Sequence, residues 1–169
     1  PVDPADETGH ITIGAADQQL RRSLSDASCR GMSRGGRRFL SIRVPTTRRW
    51  RDPTGRIRQP DHLTATVPDP ANVADGVSFE PTVDTPFQAV ASLFDVTFGG
   101  ADHEMLQFIA RKMPGNDLAA TCSFRKDGPD AELTCKNARP FPWRGPGEAP
   151  GVRFEAQFRC GAASGDQSP

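Results

Sequence analysis

The segment from Cys122 to Cys135, CSFRKDGPDAELTC, constrains the fold more than any other part of the sequence. It indicates two short strands joined by a turn at DGPD, a composition typical of turns. If the strands pair symmetrically about that turn, Cys122 opposes Cys135. An apolar pair, a hydroxyl pair and the opposite-charge pair Arg125–Glu132 then fall into register together, which is the pattern that stabilises cross-strand neighbours. The segment therefore predicts an antiparallel hairpin with a defined register.

A second segment, VRFEAQFRC from Val152 to Cys160, alternates apolar and polar residues without interruption. Strict alternation is typical of a strand with one buried face, since successive side chains point to opposite sides of a sheet. Shorter alternations occur in HITIG, FLSIRV and LTATV, and Asp52-Pro-Thr-Gly predicts a type I turn within a basic hairpin. These patterns predict an antiparallel sheet with one face covered.

Two further segments carry apolar residues at helical spacing. In the first, Thr85 is a helix cap and the apolar residues from Phe87 to Phe94 fall at i, i+3, i+4 and i+7. The following DVTF fits a strand as well as a helix. The second helix runs from Asp102, a suitable cap, to Met113, with acidic residues at its start and basic residues at its end.

We therefore predict a single α+β domain, in which an antiparallel sheet of three or more strands is packed by two helices. Residues 1–60 are expected to form an arginine-rich, loop-rich arm with short strand and helix elements, including a short helix capped by Asp17. Residues 61–160 form the α+β core and residues 161–169 a polar tail. The chain contains 16 glycines and 16 prolines, so long connections are expected, one of them at residues 68–84.

The formal net charge of zero conceals an uneven distribution of arginine. Between Arg21 and Arg58 there are twelve arginines and no lysine, and the only acids are Asp26 and Asp52. Because guanidinium groups pair bidentately with carboxylates and phosphates, this run indicates a binding surface for an anionic partner. A solvated face and docking onto the acidic half of the same chain are the alternatives.

The candidate partner-binding residues are the central arginines of this run and the two tryptophans. They are Arg34, Arg37, Arg38, Arg48, Arg49, Trp50, Arg51 and Trp143. Trp143 lies in PFPWRGPG, Pro140–Gly147, which either presents an aromatic side chain to a partner or uses it to cover the sheet edge.

The four cysteines, Cys29, Cys122, Cys135 and Cys160, are disulfide candidates. Directly opposed strand residues lie within disulfide range, which favours Cys122–Cys135. Cys160 shares the inward face and is able to replace either partner, with Cys29 taking the remaining position. Four buried free thiols are the alternative. No C-x-x-C occurs and no histidine has ligand spacing to the cysteines, so no metal site is predicted.

No catalytic residue or cofactor is predicted. Gly31-Met-Ser-Arg-Gly35 matches the G-x-S-x-G motif of serine hydrolases, but a strand follows it where that motif requires a helix. Asp102, His103 and Glu104 combine acid and imidazole groups, yet acids in a first helical turn complement the helix dipole. No phosphate-binding glycine motif is present.

The function predicted is that of a non-catalytic accessory or structural subunit of a larger macromolecular assembly. It would dock through the arginine-rich arm onto an acidic protein surface or RNA. A secreted, disulfide-stabilised β-rich inhibitor or effector is the alternative, and a small hydrolase or nuclease is third. No apolar run is long enough for a membrane-spanning helix. Because the chain begins at Pro1 instead of methionine, we expect a processed N-terminus and an organellar or exported location, with the cytosol as the alternative.

Overall fold

The structure, a computed structural model, describes residues 8–15, 18–58, 61–68, 78–79, 87–112 and 121–160. All the regular secondary structure in these ranges is β-strand. The strands are β1 Gly9–Ala15, β2 Gln18–Leu24, β3 Ser28–Arg34, β4 Arg37–Pro45, β5 Trp50–Arg51, β6 Ile57–Arg58, β7 His62–Pro68, β8 Ser78–Phe79, β9 Phe87–Phe98, β10 Ala101–Lys112, β11 Thr121–Asp127, β12 Asp130–Phe141 and β13 Val152–Arg159.

Apart from the small β5–β6 hairpin, these strands form one curled antiparallel sheet in the order β2-β1-β13-β12-β10-β9-β7-β4-β3. Strand β12 connects the two parts of the sheet, because it pairs with strands of both. Its first half pairs with β11, which in turn pairs with β8, and its last residues pair with β10. Between the two halves the register shifts between Cys135 and Ala138, and Asn137 adopts a left-handed φ of 62°. Such a bulge bends a strand.

The bend at β12 divides the sheet into two wings. The first wing consists of β2, β1, β13, the first half of β12, β11 and β8, and the second wing consists of the end of β12, β10, β9, β7, β4 and β3. Side chains from both wings form one hydrophobic core. Its largest fully buried residues are Phe87, Phe98, Phe108, Phe124 and Phe154. Each such side chain contributes about 1.5–3 kcal/mol of transfer free energy.

The two ends of the sheet meet where β2 passes into β3. Leu24 forms a bridge with Thr46, and Ala27 forms a parallel bridge with Cys160. The disulfide Cys29–Cys160 lies beside these bridges, with a Cα–Cα distance of 5.6 Å. One wing is thus covalently joined to the other at this end of the fold.

The structure confirms the predicted hairpin and its register. Cys122 opposes Cys135 and the two form a disulfide, while Arg125 opposes Glu132. The described cysteines are all paired, two bonds in total, which is compatible with an extracellular or organellar location.

The other strand predictions hold as well. In β13 buried and exposed residues alternate throughout, and HITIG, FLSIRV and LTATV lie in β1, β4 and β7. The predicted turn joins β5 to β6, with the Gly55 N–H donating to the Asp52 carbonyl at 2.9 Å.

The prediction of two helices, and with it the α+β fold class, is wrong, because both segments form the hairpin β9–β10 of an all-β fold. From Phe87 to Leu93 the core-side residues of β9 alternate, but Val90 on the opposite face is also buried. A strand covered on both faces is apolar at nearly every position, so it includes the i, i+3, i+4 spacing by default. Gly99 and Gly100, at φ of 65° and 77°, form the hairpin turn between the strands.

The loop-rich arm is also incorrect as a description of residues 1–60, since the described part of this range is mainly strands β1–β6. The expected short helix is β2 and the start of β3. Leu20 and Leu24, four residues apart, share a face in a strand as well as in a helix, so their spacing did not discriminate between the two.

Several predictions concern residues outside the described ranges. They are the caps at Asp17 and Thr85, the helix end at Met113, the polar tail 161–169 and most of the connection 68–84.

Candidate docking surface

Strands β3 and β4 form a basic hairpin at one end of the sheet path. Gly35 and Gly36, with φ of 59° and 78°, form its two-residue turn. Cys29 opposes Ile42, and both are buried against the core. Because side chains alternate between faces, the intervening residues point outward. We call four of these outward residues the hairpin face: Arg30, Met32, Phe39 and Arg43.

The hairpin face combines positive charge with exposed apolar surface. Arg30 and Arg43 are exposed, Met32 is 44% exposed, and Phe39, directly opposite Met32, is half-buried. Neither arginine has a carboxylate partner within the described part of the chain. Their charge is therefore available to a ligand.

The predicted residues Arg34, Arg37 and Arg38 lie at the tip of this hairpin. Arg34 opposes Arg37 across the turn, and Arg38 opposes Ser33. Arg38 is exposed, whereas the side chains of the other two lie outside the described set. The backbone register alone places three arginine positions within two residues of the turn.

Arg48 has a different environment, because its side chain points to a buried carboxylate. The Asp61 side chain is fully buried, and Arg48 Nη1 lies 3.3 Å from its Oδ2 and 2.6 Å from the Phe94 carbonyl oxygen. The Phe94 N–H donates to Asp61 Oδ1 at 2.9 Å, and Arg22 Nε lies 3.8 Å from Oδ2. A buried carboxylate requires such compensation. Arg48 thus serves an internal ion cluster that joins β2, β7 and β9.

The neighbouring residues Arg49, Trp50 and Arg51 lead into the β5–β6 hairpin. The Asp52 carboxylate holds the turn by accepting from the backbone N–H groups of residues 54 and 56 at 2.9 and 3.0 Å. Arg49 and Arg51 are exposed, and Arg51 Nη1 donates to the Gly55 carbonyl at 2.7 Å. The Trp50 side chain lies outside the described set.

The predicted arginines therefore do not form one continuous surface. Strand β4, nine residues long, separates the tip arginines from Arg48. At about 3.3 Å per residue the separation is roughly 30 Å. Among the described side chains, those of Arg30, Arg38 and Arg43 form no ion pair with a described carboxylate, whereas that of Arg48 pairs with Asp61.

Trp143 packs against the β9–β10 turn. Its ring stacks on His103 with centroids 5.6 Å apart and meets Phe98 edge-to-face at 6.3 Å. A Cβ on Gly99 would collide with the indole of Trp143, so only glycine fits beneath the ring. The loop Pro140–Gly147 exposes instead Phe141, at 63%, and Arg144. Trp143 acts as the anchor of this loop.

The acidic and imidazole groups at residues 102–104 do not converge. His103 is 2% exposed and its Nε2 lies 3.1 Å from the Phe98 carbonyl oxygen, while Asp102 and Glu104 are exposed. Asp102 Oδ1 accepts from the Thr97 hydroxyl at 2.6 Å. Adjacent strand residues point to opposite faces, so the three groups cannot act on one reacting atom.

Ser33 of the G-x-S-x-G match lies within β3, two residues before the Gly35–Gly36 turn that leads into the strand β4. The strand-to-helix context that activates such a serine is therefore not found around Ser33. Among the described residues no cluster of three metal-ligating side chains occurs.

The outer face of the first wing has a different chemistry from the hairpin face. A transverse row runs across it through Ser23, His10, Gln157, Glu132 and Arg125. A shallow depression of about 450 Å³ lies over this row and another of about 640 Å³ lies beside it. Basic and acidic side chains are mixed here, among them Arg125, Glu132, Arg153 and Glu155, and such a polar mixture is typical of a solvated sheet face.

Comparison of the chain with protein families, with curated proteins and with solved structures found no match. The described ranges contain no helix of the length and apolar character needed to cross a membrane.

The hairpin face itself was not predicted from the sequence, although Arg30, Met32, Phe39 and Arg43 fall within the arginine run. Its signal is Gly-Gly between two alternating segments, which predicts a two-residue hairpin and fixes cross-strand partners.

Proposed function

We propose that this protein is a non-catalytic accessory subunit that docks through the hairpin face onto an acidic surface of a partner protein. The observation that supports this proposal is the combination, on one face of the hairpin, of exposed Arg30 and Arg43 with exposed Met32. Arginine, methionine and aromatic residues are enriched at protein interfaces. Unpaired arginines steer an acidic partner and set its orientation.

A protein partner is favoured over RNA by the apolar content of the hairpin face. Binding of single-stranded RNA relies on aromatic platforms for successive bases together with phosphate contacts. The described part of the hairpin face offers one half-buried ring, Phe39, and an unbranched thioether, Met32. Those side chains suit an apolar pocket flanked by carboxylates better than a run of bases.

A second candidate function is a secreted binding protein that acts through the loop Pro140–Gly147. The two disulfides and the 63% exposure of Phe141, beside exposed Arg144, favour it. The two disulfides are compatible with an extracellular or organellar location for either function. The two functions differ in the surface that meets the partner.

Three variants separate these functions in one experiment. The tagged protein is cross-linked in its native cells and the captured proteins are quantified against the unmodified chain. Arg30→Glu with Arg43→Glu tests the hairpin face, Phe141→Ser with Arg144→Glu tests the loop, and Arg153→Glu on the first wing is the control for charge alone.

We expect the hairpin double variant to lose at least 90% of a defined set of acidic proteins, while the other two variants retain them. Loss with the loop variant alone would replace the first function by the second. Equal loss with Arg153→Glu would show that capture depends on net charge and would refute both. Capture of RNA that depends on Arg30 and Arg43 and falls steeply with salt would replace the protein partner by RNA.

A further inference from the structure

Strand β3 is one end of the sheet path. It pairs with β4 along its length and has no second neighbouring strand within the described ranges. Its start is fixed by the Cys29–Cys160 disulfide and by the Ala27–Cys160 bridge. Beyond Cys29 the strand is accessible to solvent, since Arg30, Met32 and Ser33 are exposed and Gly31 is half-buried. An edge of this kind presents backbone groups to solvent.

The turn determines which backbone groups face outward. In a two-residue hairpin the residues that flank the loop, here Arg34 and Arg37, form a hydrogen-bonded pair, and pairs alternate from there. Ser33 and Gly31 therefore occupy non-hydrogen-bonded positions, and their N–H and C=O groups point away from β4. These two N–H donors and two C=O acceptors have the spacing that pairs with one further strand.

The same rule can be checked on the β11–β12 hairpin. Counting from its turn places Cys122 and Cys135 at a non-hydrogen-bonded pair. Their Cα atoms are 4.1 Å apart, close to the short separation typical of such pairs. The β11–β12 hairpin thus follows the same alternation of hydrogen-bonded and non-hydrogen-bonded pairs that places Gly31 and Ser33 at non-hydrogen-bonded positions.

Charge determines which strand the edge accepts. Arg30 and Arg34 lie on β3, and Arg38 lies across from Ser33 on β4. Pairing of this edge with its copy in a second molecule would bring arginines close to arginines, and like charges on adjacent strands are destabilising. An extended segment that carries Asp or Glu would instead place a carboxylate beside the exposed Arg30 side chain.

We propose that the free edge of β3 binds an extended acidic segment of the partner protein as an additional β-strand. This inference rests on the proposed function and specifies its binding mode. Backbone hydrogen bonds to Gly31 and Ser33 supply strand pairing. Arg30 and Met32 lie two residues apart on one face of β3, so Arg30 selects an acidic side chain and Met32 contacts an apolar residue two positions from it on the added strand.

The probe is the acetylated and amidated peptide Thr-Glu-Thr-Val-Thr-Glu-Thr, which matches β3 in length and presents Glu, Val and Glu on one face. Its control, Thr-Glu-Pro-Val-Thr-Glu-Thr, carries the same charge but has proline at a position that pairs with Gly31 or Ser33, and proline lacks the N–H that this pairing needs. Ser33→Pro removes the outward donor without breaking a β3–β4 hydrogen bond, and Ser33→Ala is the matched variant that keeps this donor.

We expect the first peptide to bind the unmodified protein and Ser33→Ala at least tenfold more tightly than Ser33→Pro, with unchanged thermal unfolding as the check on folding. The proline peptide should bind at least tenfold more weakly than the first. On binding, the Gly31 and Ser33 amides should become protected from hydrogen exchange. Equal affinity of Ser33→Pro and Ser33→Ala would overturn strand addition.

Failure of the proposed function gives a different result. If Arg30→Glu with Arg43→Glu lowers the affinity for both peptides equally while Ser33→Pro has no effect on binding, docking stands and strand addition is overturned. If that double variant lowers the affinity for neither peptide, the docking function is overturned.

The state of the edge without peptide gives a further test. Protection of the Gly31 and Ser33 amides in the protein alone would show that the edge is already occupied, which overturns the proposal. Loss of that protection on dilution would identify a second copy as the occupant. Its loss on deletion of residues 161–169 would identify the chain's own tail.

Discussion

Replacing both Cys29 and Cys160 with alanine should destabilise the protein more than replacing Cys122 and Cys135. The first bond closes a loop with a sequence separation of 131 residues and the second closes one of 13. In the chain-entropy treatment the stabilisation grows with the logarithm of loop length, which gives about 5 kcal/mol for the first bond and about 3 kcal/mol for the second. All four cysteines are buried, so replacing either pair removes a similar amount of apolar packing.

The assay is urea unfolding at 25 °C, followed by far-ultraviolet circular dichroism. With a slope of about 2 kcal/mol/M, the midpoint should fall by about 2.5 M for the long-loop variant and about 1.5 M for the short-loop variant. The short-loop variant is the matched control, since it also lacks one disulfide. A short-loop variant that is less stable than the long-loop variant would refute the argument that the covalent joining of the two wings dominates.

Three further substitutions test particular contacts. Gly99→Ala should cost about 2 kcal/mol and lower the near-ultraviolet dichroism, because its Cβ would collide with Trp143 and the residue holds a left-handed φ of 65°. Asp61→Ala should cost about 3 kcal/mol in urea unfolding, since it leaves partly buried guanidinium groups without their carboxylate. Glu132→Lys should cost up to about 1 kcal/mol by opposing Arg125 with a like charge.

Each of these has its own control. Gly100→Ala introduces a methyl group at the same turn, also at positive φ but into open space, so it should cost less than Gly99→Ala. Asp26→Ala removes an exposed carboxylate and should leave the free energy of unfolding within about 0.5 kcal/mol of that of the unmodified protein. Combining Glu132→Lys with Arg125→Glu should restore stability. Equal effects of the paired variants, or no rescue by the charge swap, would contradict the contacts described.

Local sequence was sufficient to predict a strand and its inward residues wherever one face of the strand is buried and the other is exposed. The hairpin from Cys122 to Cys135 and the strand β13 follow the two-residue period closely, so pattern alone gave their register and their inward residues. The Asp52 turn was predictable for a similar reason, because its hydrogen bonds form within five residues. For these segments the short-range information and the final structure agree.

The β9–β10 hairpin shows where local pattern fails. Its helix-like spacing arises because part of the outer face of β9 is covered, as the burial of Val90 and Ser92 shows. Coverage of a second face depends on what packs over it, and no window of sequence contains that information. The Gly99–Gly100 pair was the contrary signal, since Gly-Gly between apolar runs favours a hairpin.

The arginine content of the sequence pointed to a candidate binding surface, and the strand topology showed which arginines belong to it. The arginine run is visible in the sequence, but its division into an outward hairpin face and an internal ion cluster depends on Asp61, whose neighbours in sequence give no sign of its burial. The free edge of β3 likewise follows from the position of β3 at the end of the sheet path.

The sequence by itself determined the strands with one buried face, the hairpin register and the local turns, because these depend on alternation and on residues a few positions apart. Only the tertiary structure decided the all-β architecture, the pairing of Cys29 with Cys160 and the separation of the arginines. The physical reason is that burial and edge position depend on long-range strand pairing, which is established between residues distant in the chain.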